Sequence, residues 1–168
     1  MKYIELVKGQ FTAEHEARAK QEEPYVAYSE EAGGVMYTFI PEPVVGPADN
    51  EIWYTTSDGN VITPNRTNGF GSNIIGNSYE DGKGVITFDG DVTSIGDYAF
   101  SNCSKLTSIT IPKTITYIGD GAVNKCGILD VITFTGTKSE WSSINKHDNW
   151  KAYTPGMLEI RCTDGVIY

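Results

Sequence analysis

The chain has 168 residues, with 22 Asp or Glu against 13 Lys or Arg and a formal net charge of −9 at pH 7. That length supplies one ordinary domain, or a short repeat array with an appended module. An acidic surface without a basic cluster repels polyanions, so neither nucleic acid nor an anionic membrane surface is expected as a partner, and no apolar run is long enough for membrane insertion.

In chain order, Met1-Lys2-Tyr3-Ile4-Glu5-Leu6-Val7-Lys8 is not a signal peptide, because Glu5 and Lys8 interrupt any apolar core. Between Thr12 and Glu23, Glu14 with Arg18 and Glu16 with Lys20 form acid-before-base pairs four apart, with Thr12 placed to cap. The pattern predicts a short helix. Its only apolar residues are Phe11, Ala13 and Ala17, so it has little to bury. Tyr25-Val26-Ala27-Tyr28 and Val35-Met36-Tyr37-Thr38-Phe39-Ile40, separated by Ser29 to Gly34, read as a hairpin with an open loop. Pro41-Glu42-Pro43-Val44-Val45-Gly46-Pro47 is a stiff connector. Residues 1–45 are therefore expected to form a small α+β module, followed by a linker at 46–50. A module of this size is expected to dock or to oligomerise, in a state the sequence leaves open.

Residues 51–84 read as an N-terminal cap. Ile52-Trp53-Tyr54-Thr55 and Val61-Ile62-Thr63 flank Ser57-Asp58-Gly59-Asn60, a hairpin signal. From Pro64 to Gly84 the chain is rich in Asn, Gly and Ser without a sustained period. It is expected to be a long loop that touches the cap through Phe70, Ile74 and Ile75. Gly69-Phe70-Gly71 is not a phosphate loop, because Ile74 stands where the third glycine of the dinucleotide fingerprint belongs.

Residues 85–135 repeat. Ile95-Gly96-Asp97-Tyr98-Ala99-Phe100-Ser101-Asn102-Cys103-Ser104-Lys105-Leu106 recurs 23 residues on as Ile118-Gly119-Asp120-Gly121-Ala122-Val123-Asn124-Lys125-Cys126-Gly127-Ile128-Leu129. The same offset carries Ile86 onto Ile109 and Ile132, and Phe88 onto Ile111 and Phe134. Such a period predicts stacked coils, none of which can bury its apolar side alone. Alternation in Ser108-Ile109-Thr110-Ile111 and Val131-Ile132-Thr133-Phe134 turns the isoleucines and Phe134 inward. Thr87, Thr110 and Thr133 then face outward, expected one above the other at about 4.8 Å. They read either as a flat recognition strip or as β-branched residues suited to an exposed strand. Gly96 and Gly119 mark a turn in each coil that needs backbone freedom, and Pro112 ends a strand. In the C-terminal cap, residues 136–168, Trp141, Ile144 and Trp150 read as an apolar lid and Leu158-Glu159-Ile160-Arg161-Cys162 as a last strand.

Leu106-Thr107-Ser108-Ile109-Thr110-Ile111-Pro112, followed by Ile118-Gly119-Asp120 and Ala122, resembles the BspA-type leucine-rich repeat. Thr135-Gly136-Thr137-Lys138-Ser139-Glu140-Trp141-Ser142-Ser143-Ile144, Trp150 and Cys162-Thr163-Asp164-Gly165 resemble the segment that closes such arrays. The resemblance covers about half the chain and implies a β-rich, short, right-handed solenoid of 23-residue coils with capping segments. Gly121 and Val123 depart from the pattern, where a larger residue and Phe are usual, which predicts a loosened last coil.

Chemistry is sparsely signalled. Cys103 and Cys126 are equivalent in adjacent coils and read as stacked buried thiols, with Cys162 a third; a disulfide between the first two is the alternative. Asp58, Asp89 and Asp91 read as turn residues, since no stretch has the ligand spacing of a calcium loop. His15 and His147 lie far from the thiols, and no Cys-x-x-Cys occurs, so no metal site is expected. His147-Asp148 has no nucleophile elbow to serve. No cofactor and no catalytic residue is assigned.

The sequence thus reads as a non-catalytic protein-binding or adhesion module. Its contact face is expected around Thr87, Thr110 and Thr133, extended by Tyr98 and Tyr117 as aromatic contacts. The resemblance implies a bacterial surface protein that contacts host proteins or neighbouring cells, whereas the start of the chain offers no export signal. A structural or receptor-binding part of a phage or prophage particle, with an assembly partner, is the alternative. A glycan-active enzyme is a third reading, resting only on carboxylate pairs that any acidic chain offers.

Overall fold

The computed structural model describes residues 46–168 and two strands before them. The helix expected between Thr12 and Glu23 lies outside the described residues. The chain divides into two compact units, residues 1–45 and 46–168. In the first, β1 (Tyr25–Ser29) and β2 (Val35–Phe39) pair antiparallel, with Tyr25 opposite Phe39 and Ser29 opposite Val35.

The second unit is strand-rich. In chain order it holds β3 (Glu51–Thr56), β4 (Ile74–Glu80), β5 (Lys83–Phe88), β6 (Ser94–Ile95), β7 (Leu106–Ile111), β8 (Tyr117–Ile118) and β9 (Val131–Phe134). The helix α1 (Lys138–Ser143) follows, then β10 (Asn145–Lys146), β11 (Glu159–Cys162) and β12 (Gly165–Ile167). Seven strands form one sheet in the order β12-β11-β9-β7-β3-β5-β4, and three short ones form a second, β10-β8-β6.

The repeat is visible as parallel pairing. Ser108 lies opposite Val131 and Val131 opposite Glu159, steps of 23 and 28 residues. In the small sheet Ser94, Tyr117 and Asn145 are partners across the same two steps. The longer second step accommodates α1. Ile109, Ile111 and Ile132 of the large sheet meet Ile95 and Ile118 of the small one, together with Phe100, Val123 and Trp150. All are buried. A left-handed backbone turn recurs with the same register: φ is 58° at Tyr98 and 57° at Gly121, then 62° at Asn102 and 58° at both Lys125 and Tyr153.

Several expectations are corrected. Val61-Ile62-Thr63 is not a strand, and β3 has no hairpin partner there. Instead β3 is inserted between β5 and β7, antiparallel to both. Its Ile52 and Tyr54 are 0% and 1% exposed, so a central place satisfies both of its edges and buries its apolar face. The 23-residue offset from β5 to β7 therefore preserves direction and face but not adjacency. The expected long loop at 64–84 contains β4, joined to β5 through Asp81 and Gly82, whose φ values of 48° and 79° close a tight hairpin. Phe70 is packed against Phe88 and Phe100 at 5.1 and 5.7 Å between ring centroids, and Ile74 is half-buried, but Ile75 is exposed at an irregularity of β4.

The connector also differs where it is described. Residues 46–50 are bound to the second unit: the Val92 N–H donates to the Asp49 carbonyl at 2.8 Å and the Phe88 N–H to that of Asn50 at 2.9 Å. Gly96 and Gly119 are required for a different reason than expected. Neither has a positive φ. A Cβ on Gly96 would come within 2.9 Å of the Gly69 backbone, and one on Gly119 within 2.6 Å of the Asp97 nitrogen. Close stacking of neighbouring backbones, not turn freedom, excludes a side chain.

The last repeat is covered by the segment that follows it, although Val123 still borders a small apolar void. Trp150 packs beside Val123, whose N–H donates to the Trp150 carbonyl at 3.0 Å. Trp141 stands between Phe134 and Trp150, at 5.6 and 6.0 Å between ring centroids. Thr137 and Glu140 form a reciprocal capping box at the start of α1. At its other end Lys146 donates to the carbonyls of Trp141 and Ile144, and burial holds its ammonium below the usual lysine range.

Candidate interaction face

The large sheet has an inner side of buried residues, so alternation fixes what its outer side presents. On β3 these are Glu51, Trp53 and Thr55, which alternate with buried Ile52 and Tyr54. β5 adds Lys83, Val85 and Thr87; β7 adds Ser108 and Thr110; β9 adds Val131 and Thr133. Glu159 and Arg161 follow on β11.

Register orders them. Val85 lies opposite Trp53, Trp53 opposite Thr110, Thr110 opposite Thr133 and Thr133 opposite Arg161. Thr110 and Thr133 are thus neighbours, as expected. Thr87 is not in line with them: its partner on β3 is Glu51, and β3 separates it from β7. The three-threonine ladder is reduced to a pair by the inserted strand.

One end of the row is an aromatic and charged group. The Trp53 indole N–H donates to Glu51 Oε2 at 2.8 Å, and Lys83 Nζ sits 4.0 Å from the ring centroid. At the other end Arg161 pairs with Glu159 at 2.6 Å. Between these ends β7 and β9 contribute Thr107, Ser108, Thr110, Val131 and Thr133, half-buried and uncharged. The Thr55 hydroxyl lies 2.6 Å from those of both Thr107 and Ser108. The signal for Trp53 was present in the sequence, since alternation with Ile52 and Tyr54 turns it outward. Arg161 was hidden by the change of step from 23 to 28 residues.

Tyr98 and Tyr117 do not extend this face. Tyr117 belongs to the small sheet, and its neighbour Ile118 points into the shared core, so the phenol points away from the threonines. Its hydroxyl lies 3.4 Å from Asp97 Oδ1, and burial followed by the Asp97 charge pushes its pKa up. The Tyr98 hydroxyl donates to Asp120 Oδ2 at 2.6 Å, and that bond raises the phenol's pKa above its ordinary value. Asp120 Oδ1 is 3.3 Å from His147 Nδ1, which also accepts from the Asn149 N–H at 3.3 Å. Among the described residues no Ser hydroxyl or Cys thiol is hydrogen-bonded to His147.

The thiols are all free. Cys126 is buried and lies 3.0 Å from the Phe100 carbonyl, Cys162 is buried, and Cys103 is half-buried. Burial pushes the Cys103 thiol up to about 11 and the Cys126 thiol up to about 12. Asp89 accepts from the Asn73 backbone N–H at 2.8 Å and the Asn73 side chain at 2.9 Å, and Asp58 accepts from the Asn60 N–H at 3.2 Å. Among the described residues no group of three or more His, Cys, Asp or Glu is placed to hold a metal ion.

Comparison with known families finds the BspA type leucine rich repeat region, matched in six copies over residues 56–147. No curated protein and no solved structure matches the chain.

Proposed function

The chain belongs to the BspA-type leucine-rich repeat family, and from that premise we propose that it is a non-catalytic adhesion module displayed on a bacterial surface. Its family marks it as a protein-interaction repeat. In this reading the stacked repeats form a short right-handed solenoid whose outer strand face contacts a protein on a host or a neighbouring cell.

One observation carries the reading: the uncharged patch of Ser108, Thr110, Val131 and Thr133 on a chain of net charge −9. Removing such a patch from water leaves no buried unpaired charge, whereas docking against an aspartate-rich surface would. The charged groups at either end, Glu51 with Lys83 and Glu159 with Arg161, suit a rim that sets orientation. Thr110 and Thr133 are the centre of the contact, with Trp53 as its aromatic anchor and Thr87 at its margin. Tyr98 and Tyr117 are assigned to a separate, acidic strip.

The test is protease treatment of intact producing cells, followed by blotting for the full chain. Loss of the chain while a cytosolic marker persists is the expected result. A chain that survives until the cells are lysed contradicts surface display.

A further inference from the structure

An open concavity lies away from the strand face, where the segment after β3 crosses the first repeat. That segment is fastened at several points. The Ser57 N–H donates to the Lys105 carbonyl at 2.9 Å, Asn65 Nδ2 to the Tyr98 carbonyl at 3.3 Å, and the Arg66 N–H to the Ala99 carbonyl at 3.4 Å. Between these fastenings a groove of about 350 Å³ remains open, lined by residues 58, 60–63 and 65 on one side and 101–105 on the other.

Its wall is dense in groups that both donate and accept. Asn60, Asn65 and Asn102 present side-chain amides, and Thr63 and Ser104 present hydroxyls. The amide nitrogens of the three asparagines are engaged, with the Asp58 carbonyl, the Tyr98 carbonyl and the Ser101 hydroxyl. Among the described residues no hydrogen bond reaches their Oδ1 atoms or the Thr63 and Ser104 hydroxyls. Val61, 48% exposed, supplies an apolar patch on the same wall. The groove is particular to this repeat: the left-handed position of Asn102 is taken in the following repeats by Lys125 and Tyr153.

The lining excludes several ligand classes. Asp58 and Lys105 are its only charges and oppose each other, which gives no basis for holding a phosphate on an acidic chain. No aromatic ring lines it, so a flat heterocycle has nothing to stack on. An extended peptide adds to the free edge of a strand, and neither wall offers one, since residues 58–65 lie between β3 and β4 and residues 101–105 between β6 and β7. A small, neutral ligand with many hydroxyls is what remains, and the volume is within the range of small-molecule sites.

We propose that this groove binds one neutral saccharide unit, its hydroxyls held by Asn60, Thr63, Asn65, Asn102 and Ser104 and one C–H face resting on Val61. Recognition of this kind gives a molecule that binds protein through its sheet a second, glycan-directed contact. It does not depend on the strand face.

The test is a titration of the full chain, followed by amide NMR, with glucose, galactose, mannose and N-acetylglucosamine, each added separately to millimolar excess. Saturable shifts centred on Asn60, Asn65 and Asn102 with at least one sugar are expected. In the double variant Asn60→Ala, Asn102→Gly the affinity should fall about tenfold or more, with an unchanged melting temperature. Glycine keeps the left-handed turn at position 102. Ser104→Tyr, which fills the groove from an exposed position, should abolish the shifts independently. The proposal is overturned if no sugar saturates these amides, if both variants bind as the parent does, or if the shifts fall on Thr110 and Thr133 instead.

Discussion

At the scale of single residues, Gly84 shows how the inserted strand is seated. It lies opposite Tyr54, and a Cβ there would fall within the Tyr54 ring. That ring is fixed, because its hydroxyl donates to Asn77 Oδ1 at 2.8 Å inside the core. Gly84→Ala should therefore cost about 1–3 kcal/mol of stability in urea unfolding. Gly127→Ala, where nothing lies within 4 Å, should change stability by less than about 0.5 kcal/mol. Val123 borders an apolar void of about 10 Å³. One added methylene is worth up to about 0.8 kcal/mol, so Val123→Ile should raise the melting temperature, and a fall would mean the void cannot accept it. With Cys126 pushed up to about 12, its thiolate is scarce at pH 8. A thiol reagent should modify it only after denaturant unfolds the chain, as mass spectrometry of the labelled peptide would show. Gly96 and Gly119 were legible as necessary glycines from their matching places. Their cause, a neighbouring backbone under 3 Å from any Cβ, is a tertiary fact that no local pattern contains.

Among the elements, those with a strict local code were readable and those placed by pairing were not. β7 and β9 follow from alternation in Leu106–Ile111 and Val131–Phe134. β3 was recognised as a strand but assigned the wrong partner, because Asp58-Gly59 offered a turn and nothing local says that β5 and β7 leave a slot. β4 was missed because Gly76, Asn77 and Ser78 disfavour strands by propensity; the Asp81-Gly82 pair was the overlooked signal. The α1 cap can be tested by pH. The Thr137 N–H donates to Glu140 Oε2 at 2.7 Å, and this bond lowers the carboxyl's pKa from 4.5. A carboxylate lowered on folding stabilises the fold fully above its unfolded value, and the contribution is lost as pH falls through the lowered one. The difference in urea midpoint between the parent and Glu140→Ala should be present at neutral pH and close in acid. A difference that is independent of pH would contradict this role for Glu140.

On the scale of the whole molecule, a short array needs its ends covered, and the second unit carries different elements at its two ends. At one end of the large sheet β3, β5 and β4 lie side by side in that order, each antiparallel to its neighbour, while α1, Trp141 and Trp150 pack beside the last repeat. The repeat register and family were legible because 23-residue recurrence survives in the sequence. The face was only partly so: the pairing of Thr110 with Thr133 was legible, but the insertion of β3 between β5 and β7, which separates Thr87 from them and sets Trp53 beside Thr110, is visible only in three dimensions. The consequence is an uncharged centre with charged ends, and the account rests on that face making the contact. The most direct measurement coats beads with the full chain and counts their attachment to host cell layers and to neighbouring bacteria. The parent is compared with Thr110→Lys, Thr133→Lys and, as a control on the opposite strip, with Tyr117→Lys, Asn145→Lys. The account predicts attachment by the parent and the control and its loss in the threonine variant. Equal attachment by all three, or loss only in the control, would contradict it.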